Sequence, residues 1–471
     1  MNQSETPLVD AVAAFLADGH LAPFTTPGHK RSPELADALL ALDLPLSAGA
    51  DDLHLTGDVL GKAERLAAEL WGAGYCRFCL NGSTEGNQAL ALAAARPGAR
   101  VVVTRGLHKS VFAGLVLAGL DPVWVRPDVD PGTGLALAVP VERVREALPG
   151  AAAVFLVEPN FVGVMSDVAG IAQACRDAGV PLVVDQAWGA HLGFHPALPP
   201  STLALGADAM VTSAHKTLAA FTQGAYLFAR AGRFDLRRLE EAFETLHTTS
   251  PSAAILASLD RTRHLMATRG HDLLGRTVAL VAWARGRLAA VEGLRMLDAT
   301  LPGIGAYDPT KLVLALAGTG ADGIAVEADL WEAGIRLELA NRDTLVPLVT
   351  IGDTKPSVER LVSGLERALE RRRGEPRPAG GASAVWAVEP EAAMSPREAF
   401  FAPRETVSAT AAAGRVAAET IAPYPPGIPA IAPGEVIRPE LLEALREAAV
   451  SGTRIAYCAD PMLETVQVVA R

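Results

Sequence analysis

Between about residues 59 and 229 the chain alternates short apolar or β-branched runs with helix-patterned stretches. No other feature limits its fold as much. Residues 75–80 (YCRFCL), 100–104 (RVVVT), 122–126, 152–158, 181–185, 207–213 and 224–229 read as strands. Residues 60–71, a stretch opening at Thr84, 111–119 and 168–178 read as helices. Such alternation predicts a mixed, mostly parallel sheet covered by helices on both faces, an α/β domain.

The rest of the chain is organised around this core. Residues 5–18 read as an amphipathic helix, and 20–58 as irregular chain rich in Gly, Pro, His and Asp. Residues 233–300 read as mostly helical and leaving the layered domain. Residues 311–370 follow a strand, helix, strand, strand, helix order that suits a small α+β unit. RRRGEPRPAGGAS at 371–383 reads as a linker, a helix is expected near 405–421, and the proline cluster that follows cannot be helical. The expected division is an N-terminal segment over 1–58, a large cofactor-binding domain over 59–295, a small α+β domain over 296–375 and a C-terminal domain over 376–471.

Composition excludes several classes. Half of the 471 residues are hydrophobic and 20% are charged, which is incompatible with a largely disordered chain. The net charge of −11 argues against nucleic acid and anionic membranes as partners. No apolar run approaches the roughly 20 residues of a membrane helix. No basic, apolar leader opens the sequence, so a cytoplasmic protein is expected. The four cysteines form no disulfide framework. Cys76 and Cys79 lack a second ligand pair at zinc spacing, so buried thiols and no metal are expected.

Chemistry is read from strand ends, where open α/β sheets bind ligands. PLVVD ends in Asp185, and SAHK places Ser213, His215 and Lys216 after another strand. A carboxylate and a lysine on two strand ends suit pyridoxal 5'-phosphate. The lysine can form a Schiff base with its aldehyde, and the acid can pair with its ring nitrogen. NGSTEGN at 81–87 turns from strand into helix, so Ser83, Thr84 and free backbone N–H groups offer an anion site. Capping alone would also explain that turn. His108, just past the strand at 100–104, could stack on a flat ring.

With these residues in hand the chain resembles the Orn/Lys/Arg decarboxylases. The motifs are TPGHK (26–30), DDLH (51–54), LNGSTEGNQA (80–89), HKSV (108–111), DQAWGAH (185–191), SAHKTLAAFTQG (213–224), TSPSAAILASLD (249–260), APRE (402–405) and GRVAAETIAPYPPGIPAIAPGE (414–435). The resemblance spans roughly residues 24 to 436. It implies a fold-type-I, aspartate-aminotransferase-like architecture and a pyridoxal-phosphate-dependent decarboxylase of a basic amino acid, arginine first, then lysine or ornithine. It implies that Lys216 is the Schiff-base lysine, Asp185 the ring-nitrogen partner and His108 the stacking residue. Ser83, Thr84, Ser213 and His215 would hold the phosphate, and the Trp188 indole N–H would reach the phenolic oxygen. Thr249 and Ser250 would reach a partner's cofactor in a shared site of a homodimer, or of a tetramer built from dimers. Lys216 or His215 would reprotonate Cα. Asp51, Asp52 and Glu419 are candidates for the substrate's distal cation. The sequence departs from the family pattern at Asn160–Phe161 and at Ala253. Another reaction on this fold (aminotransferase, aldolase or oxidase) and a non-catalytic polyamine-related regulator are the alternatives.

Overall fold

The structure, a computed structural model, describes residues 1–18, 57–130, 132–378, 391–424, 428–450 and 453–471, with 26, 43, 44, 48, 385 and 388. In chain order the first half comprises α1 (Pro7–Ala17), α2 (Val59–Trp71), β1 (Tyr75–Cys79), α3 (Gly82–Ala94), β2 (Arg100–Thr104), α4 (Lys109–Ala118), β3 (Asp121–Val125), α5 (Val141–Ala147), β4 (Val154–Val157), β5 (Val164–Met165), α6 (Val168–Asp177), β6 (Leu182–Asp185), β7 (Ala209–Thr212), α7 (Ala214–Thr217) and β8 (Ala225–Ala229). Then come α8 (Leu236–Leu246), α9 (Ala253–Leu288), β9 (Arg295–Met296), β10 (Ala306–Tyr307), β11 (Leu314–Ala315), α10 (Gly323–Glu332), β12 (Leu339–Ala340), β13 (Thr344–Val346) and α11 (Lys355–Arg371).

Seven strands form one sheet in the order β1-β8-β7-β6-β4-β2-β3. β6 pairs in parallel with β4 and β7, and β2 pairs in parallel with β3 and β4. β8 alone runs against its neighbours β7 and β1. The carboxyl ends of the other six strands therefore share one edge. Strand period 2 builds two cores. Val102, Leu182, Val184 and Met210 enter one, while Val101, Val103, Val183, Ala209 and Val211 enter the other. Burying each Val or Leu contributes about 1.5–3 kcal/mol. Helix α3 lies so close to β7 that a Cβ on Gly86 would sit 2.5 Å from Val211 Cγ2, which explains a glycine inside a helix.

Cys76 and Cys79, three residues apart on β1, face opposite sides of the sheet and join different cores. They cannot share a ligand, and burial pushes both thiols well above their usual range. Among the described residues no cluster of three or more His, Cys, Asp or Glu could hold a metal, and no helix is long and apolar enough to cross a membrane.

Helix α9, 36 residues and about 54 Å long, starts in the first of these cores at Ala253 and Leu256 and ends in a third at Val281 and Leu288. That third core belongs to a four-stranded antiparallel sheet, β12-β13-β11-β9, with α10 and α11. Thr354 caps α11 through a reciprocal box with Ser357. The C-terminal region has its own core around Ile421, Ile431, Leu445 and Val468. There the helix expected near 405–421 is replaced by β14 (Arg404–Ser408), a single turn over Ala409–Ala412 and looser chain. Five residues of β14 pair with β17 (Thr465–Val469). The alanine-rich stretch has high intrinsic helix propensity, but strand pairing across 60 residues of sequence overrides it. The proline cluster enters as β15 (Ala422–Tyr424), paired with β16 (Arg454–Ala456).

Candidate active site

Asp185 ends β6 and is 3% exposed. Its Oδ1 accepts a hydrogen bond from the Ala187 N–H at 3.0 Å, and its Oδ2 accepts one from Asn87 Nδ2 at 2.7 Å. Both donors are neutral amides, and among the described residues no ion pair neutralises the carboxylate. A buried carboxylate left so needs a cationic or strongly donating partner.

Asn87 lies on α3, one turn beyond Ser83 and Thr84. The same amide nitrogen also donates to Ser110 Oγ at 2.9 Å, and Ser110 Oγ is 2.8 Å from His108 Nδ1. The Ser110 N–H donates to that Nδ1 too, at 3.3 Å, making His108 the cap of α4. A neutral His108 therefore carries its proton on Nε2. Burial of the imidazole lowers its pKa, against the pull of Asp185. A chain of hydrogen bonds thus joins three elements: β6, α3 and the start of α4.

Lys216 lies in the single-turn helix α7 after β7 and is half-buried. Burial lowers its pKa, while Asp185 and then Glu338 oppose that shift. Its Nζ stands 4.2 Å from the centroid of the Trp188 ring. His215 turns Nδ1 to the Gly224 carbonyl at 3.0 Å, and burial lowers its pKa as well. Ser213 Oγ donates to Ser83 Oγ at 3.1 Å, bringing two buried hydroxyls together at the start of α3. That helix opens at Gly82 with Asn81 as N-cap, not at Thr84, and no side chain caps it. Ser83 and Thr84 thus lie inside the first turn, where backbone N–H groups lack intrahelical acceptors.

Other expected residues lie apart from this cluster. Thr249 and Ser250 are exposed between α8 and α9. Asp51 and Asp52 fall outside the described residues. Glu419 is buried and held by the backbone. Its two oxygens accept from the backbone N–H groups of Ala459 and Gln467, at 2.6 and 2.7 Å. It lines a groove of about 700 Å³ between α4 and the C-terminal region. Asn160 ties down its own turn by accepting from Val162 and Val164, and Phe161 packs on an apolar cluster. Ala253 is core.

Sequence reasoning passed over Asn87, Ser110 and Lys311. Asn87 stands inside the quoted NGSTEGN, and its helical spacing from Ser83 is the signal that could have found it.

The cluster fits pyridoxal phosphate. Paired hydroxyls at a helix start suit a phosphate, a buried carboxylate with neutral donors suits a protonated ring nitrogen, and a half-buried lysine with a lowered pKa suits the aldehyde. Comparison with known proteins points to one family. The model of the Orn/Lys/Arg decarboxylase major domain matches residues 6–306, and that of the family's C-terminal domain matches 381–449. The chain is 33% identical to an arginine decarboxylase of Halalkalibacterium halodurans, over 99% of this chain and 98% of that protein. It is 32% identical to an arginine decarboxylase of Bacillus subtilis, over 100% and 99%. A crystal structure of the Francisella novicida lysine decarboxylase superposes with a TM-score of 0.83 at 20% identity, covering 99% of this chain and 81% of that one.

Proposed function

The chain belongs to the Orn/Lys/Arg decarboxylase family, and on that premise we propose that it removes CO2 from arginine with pyridoxal 5'-phosphate held among Lys216, Asp185 and His108. The observation that carries this reading is the placement of the buried Asp185 at the end of β6 and of Lys216 just past the end of the adjacent parallel strand β7. Arginine is preferred because the two relatives aligned over nearly their whole length are named for it.

The cofactor, when bound, supplies the electron sink for the pair that CO2 leaves behind. The protein's residues do the rest. Asp185, fixed by Asn87 and the Ala187 N–H, presents a preorganised negative charge to the ring nitrogen. Burial of Lys216 increases the fraction of its amine that is neutral and nucleophilic. Ser110 and the α4 backbone lock the His108 ring so that its face can lie against the cofactor. Ser83 and Ser213 would hold the phosphate with the first turn of α3. The low exposure of this cluster keeps water from the reacting carboxylate. The distal guanidinium requires a carboxylate. Glu338, just before β12, is the described one whose charge both Lys216 and Lys311 feel.

Thr249 and Ser250, exposed on one chain, complete the site of a second copy in an isologous dimer. Mixing Lys216→Ala with a Ser250 variant would then restore part of the activity through hybrid dimers carrying one intact site. A fully active monomer at nanomolar concentration would exclude that arrangement. The substrate test is CO2 release from arginine, lysine and ornithine with added pyridoxal phosphate, with arginine expected to be fastest. Release of keto acid in place of CO2 would overturn the reading.

A further inference from the structure

Lys311 is a buried lysine that neither the sequence nor the family resemblance singled out. It follows the turn after β10 and is 2% exposed. Among the described residues no oxygen accepts a hydrogen bond from its Nζ, and no carboxylate lies within ion-pair distance. The ammonium instead stands 4.3 Å from the Trp188 ring centroid, the ring that Lys216 faces at 4.2 Å. The two nitrogens are therefore within about 8.5 Å of each other, the sum of those distances.

The fold is shaped to keep this lysine in place. Gly163, with φ of +89°, leaves the space that the Lys311 stem fills, since a Cβ there would come within 2.5 Å of Lys311 Cγ. The backbone around it is pinned as well. His191 Nε2 lies 2.9 Å from Asp308 Oδ2, Thr310 Oγ1 donates to Asp308 Oδ1 at 2.7 Å, and the Lys311 N–H donates to the Asp308 carbonyl at 3.1 Å. The turn that accommodates it, Asn160–Gly163, is the stretch where the sequence leaves the family pattern.

We propose that Lys311 is a further catalytic residue, the acid that returns a proton to Cα after CO2 has left. This rests on the decarboxylase reading above. As the bond to the carboxyl carbon breaks, its electron pair stays with Cα and its conjugated system. That pair then takes a proton from Lys311 Nζ, which becomes a neutral amine and regains its proton from water. With no acceptor among the described residues, the Lys311 ammonium has a proton to give, which suits it to this role. Burial lowers the Lys311 pKa to about 8, with Asp308 and Glu338 opposing and Lys216 adding to the shift. An acid near the working pH is the efficient one. The other two candidates are less suited. His215 is pushed toward its neutral form by burial, and Lys216 must be neutral to expel the product.

Two measurements test the proposal. In Lys311→Met, CO2 and amine are quantified separately. Without its acid at Cα, the proton would be taken up on the cofactor side instead, and hydrolysis by water would then release an aldehyde and leave the cofactor as its amine. The amine formed per CO2 should fall at least about tenfold. Lys311→Arg keeps the charge but holds its proton too tightly, so it should not restore the ratio. One amine per CO2 in both variants, or rescue by arginine, would overturn the proposal. The second measurement needs no turnover. The chain has six lysines, so 13C-labelled lysine side chains of the wild-type protein can be titrated individually by NMR. One signal should titrate near pH 8 and disappear in Lys311→Met. Absence of any wild-type lysine signal titrating near pH 8 would overturn the assignment even if the variants fail to fold. Wild-type protein that releases no CO2 from any basic amino acid would overturn the decarboxylase reading, and this one with it. A changed Lys311 result with normal wild-type turnover would overturn this proposal alone.

Discussion

Arg105, one residue beyond β2, and Glu435, 330 positions later, form a two-pronged ion pair at 2.5 and 2.8 Å with both side chains out of solvent. Arg105 also donates to the carbonyls of Pro429 and Ala430, and its guanidinium covers the Trp124 ring. The proline-rich segment is thereby clamped onto the edge of the sheet that carries the site, three residues from His108. Removing one partner leaves a buried, unpaired charge, so Arg105→Leu should destabilise the protein by about 3–5 kcal/mol in denaturant unfolding. Arg105→Leu combined with Glu435→Leu should recover part of that loss. No recovery in the double variant would show that the carbonyl contacts, not the pair, dominate.

Lys216→Ala should abolish turnover while circular dichroism and the unfolding midpoint stay near those of the wild type, because the side chain is only half-buried. Borohydride reduction of the loaded enzyme, followed by peptide mapping, should mark Lys216 among the six lysines. Label on Lys109 or Lys311 would displace the assignment.

Asp185→Asn should lower kcat by at least about a hundredfold, the scale of losing one preorganised electrostatic partner. Asn87→Ala should cost less, about ten- to a hundredfold, since it removes one hydrogen bond to a charged group worth about 1.5–3 kcal/mol. It should also loosen His108, because Ser110 loses its donor. Kinetics and cofactor affinity measured on both variants check the order, and an Asn87→Ala enzyme with wild-type constants would contradict it.

Glu158 gives a pH prediction. Burial raises its carboxyl to about 7, against donation from Ser166. An unfolded glutamate ionises near 4.5. The folded state therefore holds this proton more tightly, and the stability it contributes is complete below about pH 4.5 and lost as pH rises through about 7. Glu158→Gln keeps an acceptor for the Ser166 N–H and removes the titration. The variant should lose less stability than the wild type between pH 5 and pH 8, by roughly 2–3 kcal/mol. Parallel unfolding curves at both pH values would argue that the carboxyl titrates normally.

Much of this architecture was legible in the residues themselves. The strands ending in Asp185 and leading to Lys216 are short and β-branched, so their ends could be placed to within about two residues. Asn87 could not be read as a partner of Asp185, because the two are 98 positions apart and meet only when α3 crosses the sheet. Lys311 was hidden for a similar reason. Its neighbours Trp188 and Gly163 come from different segments, and a lone lysine between short strands reads as solvated. The stretch 405–421 was misread because local alanine content favours helix, whereas β17, its partner, lies at the far end of the chain.

The antiparallel placement of β8 has a practical consequence for engineering. With that one exception, every strand of the sheet points its carboxyl end to the edge that carries the candidate site. The opposite edge, including the exposed turns at Pro149–Gly150 and Ala178–Gly179, is separated from it by the full length of four-residue strands, about 13 Å. A reporter peptide or surface-attachment tag grafted there would decorate the enzyme from behind, where neither substrate entry nor proton traffic passes.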